Sequence, residues 1–373
     1  MDASTRHPDA RTLVYSIRDF DRSISRTSLY EFQNVVADIE GADMLAPGSK
    51  TIEVPKRIEK VVDRFGFELK QKPTPDVFQI DRDYDVFFTV VQSIDDVAAL
   101  KKVPGWASHF KKKILLISDV WRAFIKRQAF AQPLREFDIV CSYGSGALDV
   151  LQDELPNTEV MFLPGAVDTL SFAPGDRTLP RTIDVYSMGR KSDETHAAFL
   201  KWAKDTGRFY LCDVLEAQFV HDTAEYRAHS INLARRSKYF IAYRGLVNRP
   251  EVTQHEIGVR FFEGAAAGCI LLGEAPENEH FPELFDWPDP IVHLPYGSTE
   301  PAKVIAQLEE DPARLAKMRQ NNIGHSLGRH DIAHRWRDLM DKLGLPLRQS
   351  HVQRLDRLEK ASAAVLSSDS DDF

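Results

Sequence analysis

The stretch His255–Glu274, HEIGVRFFEGAAAGCILLGE, decides how the rest of the chain is read. It passes from a polar loop through a short helix into an apolar strand. The run of small residues Gly264, Ala265, Ala266, Ala267 and Gly268 lets backbone approach a ligand or a neighbouring element closely. The helix begins near Arg260, and its unpaired N–H groups with their partial positive charge suit a diphosphate. Glu263 falls in the first turns. A carboxylate accepts two hydroxyl hydrogen bonds at once, which matches a ribose diol. Small residues are also common where a helix simply packs on a sheet, so this segment alone leaves both readings open.

Outward from this segment, short and nearly continuous apolar runs alternate with helical stretches. Thr12–Ile17, Asp85–Val91, Lys113–Ser118, Asp138–Ser142 and Val160–Leu163 read as strands, with a helix at Leu29–Ile39. After the turn-rich Phe172–Pro180 a second set begins: strands at Ile183–Ser187, Arg208–Leu211, Tyr239–Ala242 and Ile270–Leu272, with helices at His196–Lys204, Phe261–Ala267 and Thr299–Leu308. Such strands signal parallel sheets buried on both faces. Thr299 is the expected N-cap of the last helix, with Pro301 in its first turn, and Asp311-Pro312 opens another. The pattern predicts an α/β chain of two Rossmann-like domains, 1–172 and 173–345, followed by a tail at 346–373. Val352, Leu355 and Leu358 place one stripe on a short helix there, and the terminal SSDSDDF is expected to be disordered.

The bulk numbers agree. The chain has 373 residues, 43% hydrophobic and 28% charged, about right for two α/β domains of ordinary size. A net charge of −8 argues against coating nucleic acid by bulk electrostatics. The first residues hold no long apolar core and no run of 18 apolar residues occurs, so neither a secretory signal nor a membrane span is expected and the location reads as cytoplasmic. Cys141, Cys212 and Cys269 lie far apart without metal-ligand spacing and read as buried thiols in a reducing compartment.

Three further segments are candidates for chemistry. Gly189-Arg190-Lys191 follows the first strand of the second domain, at the end of the sheet where such folds bind ligands. Two cations there can neutralise a departing diphosphate, although basic residues in a solvated turn are equally ordinary. Asp119 follows a buried strand of the first domain, placed to polarise an acceptor hydroxyl or to cap a helix. Ser142-Tyr143-Gly144-Ser145-Gly146 reads as a turn and cap. Lys111, Lys112, Lys113, Arg122, Lys126 and Arg127, interleaved with Trp121, Phe124 and Phe130, form either a solvated basic face or a peripheral membrane contact.

Together these segments resemble the group 1 glycosyltransferases of GT-B fold, including the spore-protein-like branch with an Arg-x-x-Glu signature. FDIVCS…TEVMFLPGAVDTLSFAP, IDVYSMGRK, GVRFFEGAAAGCILLGE, FPELF, LEEDPARLAKMRQN and HRWRDLMDKLG occur in the family's order, across about residues 80–345. The resemblance implies two sheets facing a cleft and sugar transfer, with retention, from a nucleotide diphosphate-sugar to a glycan, lipid-linked or small-molecule acceptor. It implies that Glu263 holds the nucleotide ribose, that Arg260 is the signature arginine, and that Gly189, Arg190, Lys191, Arg244 and Gly264 lie along the donor. Asp119 takes the place where many members carry a histidine near the transferred sugar. Many members also carry a glutamate eight residues before the second one. Here His255 stands at that position, with Glu256 next to it, and one of the two is expected to orient the donor sugar. The family implies neither a cofactor nor a metal, and Asp95-Asp96 and Asp369–Asp372 read as a helix start and the tail. A sugar-nucleotide epimerase and a non-catalytic binding protein on the same scaffold are the alternatives.

Overall fold

The structure is a computed structural model that describes residues 6–50, 74–75, 80–125, 134–175, 180–213, 220–249, 251–369 and 373. In the first lobe, β1 (Thr12–Tyr15) leads into helix α1 (Thr27–Glu40) and β2 (Asp43–Leu45). The lobe continues through β3 (Tyr84–Val91), β4 (Phe110–Ile117), β5 (Ile139–Ser142), α2 (Leu148–Glu154) and β6 (Glu159–Phe162). The six strands pair in the order β2-β1-β3-β4-β5-β6, all parallel. One face of the sheet packs on Leu29, Phe32 and Val36 of α1, and the other on Val97, Leu100, Phe137 and Leu151. That double burial is why the strands read as continuous apolar runs.

The second lobe repeats the plan. Strand β7 (Ile183–Met188) is followed by α3 (Asp193–Thr206), β8 (Tyr210–Asp213), α4 (Thr223–Arg235) and β9 (Ser237–Ala242). Then come α5 (Val259–Ala266), β10 (Ile270–Gly273), β11 (Val292–His293), α6 (Pro301–Glu309) and α7 (Pro312–Arg329). Its five parallel strands run β8-β7-β9-β10-β11. The expected two parallel-sheet α/β domains are therefore present. The N-cap of α6 is Glu300, with Pro301 in the first turn, instead of the expected Thr299. Asp311 caps α7 by accepting from the Arg314 N–H at 3.0 Å.

The end of the chain returns to the first lobe. Helix α8 (Ile332–Leu343) inserts Trp336 against Phe88 of β3, ring centroids 4.9 Å apart, and the Trp336 Nε1–H donates to Glu40 at 2.6 Å. Beyond Pro346, where the sequence suggests only a short helix and a frayed end, the chain forms the 19-residue helix α9 (Gln349–Ser367). Its Leu358 and Val365 are buried in the same core as Val14, Phe88 and Ile114. Of the terminal SSDSDDF, Ser367 ends helix α9, and Ser370, Asp371 and Asp372 lie outside the described residues. Among the described residues, no helix is long and apolar enough to cross a membrane.

Candidate functional site

In parallel sheets of this kind a crevice opens beyond the carboxyl ends of the strands, where the strand order reverses. In the first lobe that point lies beyond β1 and β3, and in the second beyond β7 and β9. The two ends meet each other. A Cβ added to Gly245, after β9, would come 2.7 Å from the ring of Trp121, which follows β4, so only glycine lets these elements touch. Gln254 donates from Nε2 to the Val120 carbonyl at 3.2 Å and accepts from the Arg122 N–H.

At the end of β7 the chain turns through Gly189 at φ 81°, and its N–H donates to the Asp213 carbonyl at the end of β8. The guanidinium of Arg260 approaches this turn, with Nη2 3.4 Å from where a Gly189 Cβ would stand. Arg260 also donates to Glu263 at 2.6 Å, a pairing that the i,i+3 spacing on α5 provides. Glu263 is bound from its other side by Arg227 of α4, and Arg227 grips Glu31 of α1 with two bonds of 3.0 and 2.8 Å. Four side chains of alternating charge thus run from the first lobe to the Gly189 turn.

Burial alone would raise the Glu263 carboxyl, but the charges and hydrogen bonds of Arg260 and Arg227 outweigh it and hold the group at about 2. For Glu31 the balance reverses: burial raises its carboxyl above the ordinary range despite Arg227. Both Glu263 oxygens already accept from arginines, so a ribose diol would have to use the lone pairs left over.

The remaining sequence-predicted residues divide. Arg190 is exposed beside the Gly189 turn, and Lys191 pairs with Asp193 at 3.4 Å while its carbonyl accepts from the Tyr296 hydroxyl at 2.9 Å. Arg244 lies in the loop after β9 and donates to the Gly245 and Gln254 carbonyls at 3.4 Å. Asp119 accepts from Gln92 at 3.0 Å; burial raises its carboxyl, while Gln92 and the charge of Arg190 across the cleft pull the other way. Asp119 on the first lobe therefore feels the charge of Arg190 on the second. Gly264 is a packing position: a Cβ there would meet Leu271 at 2.5 Å and Phe240 at 2.9 Å, so its smallness serves helix–sheet contact and not a ligand.

Glu256 has turned to the first lobe. Its carboxylate accepts from the Ser145 N–H at 3.1 Å, the Gly146 N–H at 2.9 Å and Gln254 at 2.9 Å. The Gly144–Gly146 turn is thus the seat of an inter-lobe clasp. His255 accepts the Glu277 N–H on Nδ1 at 3.3 Å, and its carbonyl accepts from Asn278 at 3.0 Å. Where the basic run is described its cations have acidic neighbours: Lys111 meets Asp85 at 2.7 Å, Lys112 and Lys113 share Asp138 at 3.9 and 3.5 Å, and Arg122 pairs with Asp149. Lys126, Arg127 and Phe130 lie outside the described residues.

Sequence reasoning missed Arg227, Glu31 and Asp213. Asp213 accepts from the Tyr226 hydroxyl at 3.2 Å and the Tyr186 hydroxyl at 3.4 Å, and its carbonyl accepts from the Gly189 N–H. Its place at the end of the edge strand was the available signal, because that is where such sheets put polar ligand contacts.

Two parallel-sheet lobes with opposed carboxyl ends, joined across a polar cleft, define the GT-B class of fold. Residues 185–341, most of the second lobe with α8, match the family model described as glycosyl transferase-like. Among solved structures, the Anabaena protein Alr3699/HepE in complex with UDP-glucose superposes with a TM-score of 0.50 at 9% identity, covering 89% of this chain and 99% of that one. AviGT4, a glycosyltransferase involved in avilamycin A biosynthesis, gives a TM-score of 0.42 at 14% identity, over 95% of this chain and 98% of that one. At 9% identity the likeness to the Anabaena protein is one of fold. No curated protein sequence matches the chain.

Proposed function

We propose that the chain transfers a sugar from a nucleotide diphosphate-sugar bound by the second lobe to an acceptor held by the first. The observation that carries this is Arg260 at the Gly189 turn, presented by α5 inside the segment that matches the glycosyl transferase-like family. As the sugar–oxygen bond breaks, negative charge grows on the departing diphosphate. Arg260 and Arg190 meet that charge, together with Lys191 and the N-terminus of α5. Donors aimed at developing charge are usually the largest catalytic term, and loss of one costs about 3 kcal/mol, roughly a hundredfold in rate.

Glu263 has two tasks in this proposal. It holds Arg260 against the turn, and it offers its remaining lone pairs to the ribose. Asp119, within reach of the charge of Arg190, receives the acceptor hydroxyl, and its raised carboxyl suits proton transfer near neutrality better than an ordinary aspartate. His255 is the candidate nearest the family's sugar-orienting position, since Glu256 is engaged in the clasp. Transfer is proposed to proceed with retention and without a metal, to a glycan, lipid-linked or small-molecule acceptor.

The test is a thermal-shift screen with UDP-, GDP-, ADP- and dTDP-sugars, beginning with UDP-glucose because the Anabaena protein binds it. The wild type should be stabilised by one base and Arg260→Gln should not respond. No shift with any of the four would count against the proposal. Turnover of the donor without an acceptor would mark an epimerase instead.

A further inference from the structure

The alternating ladder Glu31–Arg227–Glu263–Arg260 crosses from one lobe to the other, and its members differ sharply in exposure. The side chains of Glu31, Arg227 and Glu263 are 8%, 7% and 2% exposed, against 29% for Arg260. One end of a buried charge row therefore reaches the cleft.

Arg227 is fixed from both lobes. Its Nε and Nη2 donate to the two oxygens of Glu31, and its Nη1 donates to Glu263. Its guanidinium lies 4.9 Å from the ring centre of Phe172, where the chain crosses between lobes. The planar fork cannot satisfy both carboxylates from another position. Glu31 is itself steadied by the Asp168 N–H at 3.3 Å, and Asp168 is paired with Arg354 of α9 at 2.5 Å.

We infer that Glu31 is a positioning residue for the donor site on the opposite lobe: through Arg227 it sets Glu263, and so Arg260, only while the lobes are closed. The inference rests on the donor-site reading above. Opening the lobes separates Glu31 from Arg227 and leaves a buried guanidinium with one partner, which relaxes the hold on Glu263. Closure and donor binding are then linked, and the linkage is reciprocal: a donor that engages Arg260 favours the closed form by the same factor that closure favours the donor. Glu31 acts on the donor without touching it, since both its oxygens are spent on Arg227 and Asp168.

Isothermal titration with UDP, then GDP, ADP and dTDP, tests this on the full chain. Glu31→Gln keeps the shape and removes the charge, and its Kd for the nucleotide that binds the wild type should rise about tenfold or more. In the double variant with Arg260→Gln, the added Glu31→Gln change should weaken binding no further. A merely structural role would not produce that non-additivity, because independent sites add. Should Glu31→Gln fail to fold, Glu31→Asp, which keeps the charge on a shorter arm, should show the same direction of loss. Unchanged Kd in a folded Glu31 variant, beside normal wild-type binding, overturns the inference alone. A wild type that binds none of the four nucleotides overturns the donor reading and the inference together.

Discussion

Glu263 is a buried carboxylate held between Arg260 and Arg227, and the physics of such a group fixes two outcomes. Replacing it with alanine leaves Arg227 buried beside an empty space, so Glu263→Ala should lose about 3–5 kcal/mol in denaturant unfolding. An activity loss in that variant would therefore mix destabilisation with chemistry, which makes Arg260→Gln the cleaner probe. The Glu263 carboxyl sits at about 2, below its ordinary 4.5. Its ionised form is favoured by folding, so the contribution is complete above pH 4.5 and fades as the pH falls toward 2. The stability gap between wild type and Glu263→Gln should narrow across that window. Asp119 shifts the opposite way, because burial raises it. If it accepts the acceptor's proton, the acid limb of kcat/KM should lie above pH 3.8, the ordinary aspartate value, and Asp119→Asn should abolish it. A limb that survives Asp119→Asn would assign the proton to another group. Arg260 and Glu263 were legible in the sequence because they share one short helix. Arg227 and Glu31 were not, since they are separated by 196 residues and only the folded chain pairs them.

At the scale of elements, the strands that sequence periodicity revealed are those whose apolar stretches are buried on both faces, such as Val86–Phe88 of β3 and Ile114–Ile117 of β4. Strand β2 spans three residues and begins with Asp43, and β11 spans two, so neither carries enough pattern to be read. Helix α4 escaped for a different reason: its buried positions include Arg227 and Ser230 beside Ile231 and Ala234, which blurs the apolar stripe. The Glu256 clasp was hidden because its partners are backbone N–H groups, which no side-chain pattern announces. The placement of α8 follows from Trp336, buried on Phe88 and bonded to Glu40. Trp336→Ala should cost about 3–5 kcal/mol by the cavity it leaves. Near-neutral stability in that variant would mean that α8 does not close the first core.

For the whole molecule, the two lobes are tied by more than the segment that joins them. Helices α8 and α9 carry the end of the chain back onto the first sheet, and Val167 pairs with Asp331 across the crossing. Glu256, Gln254, Gly245 and the Glu31–Arg227 pair add contacts around the cleft. Calorimetric unfolding should accordingly show one transition, and removal of residues 349–373 should lower its midpoint by exposing the surface that Leu358 and Val365 cover. Two well-separated transitions in the intact chain would show that the lobes fold independently. The central claim is that the second lobe seats a diphosphate between Arg260 and the Gly189 turn. A crystal structure grown with the sugar nucleotide that stabilises the protein tests it most directly. Electron density for both phosphates against Arg260 and the N-terminus of α5 is predicted; an empty turn with the nucleotide bound elsewhere would contradict it.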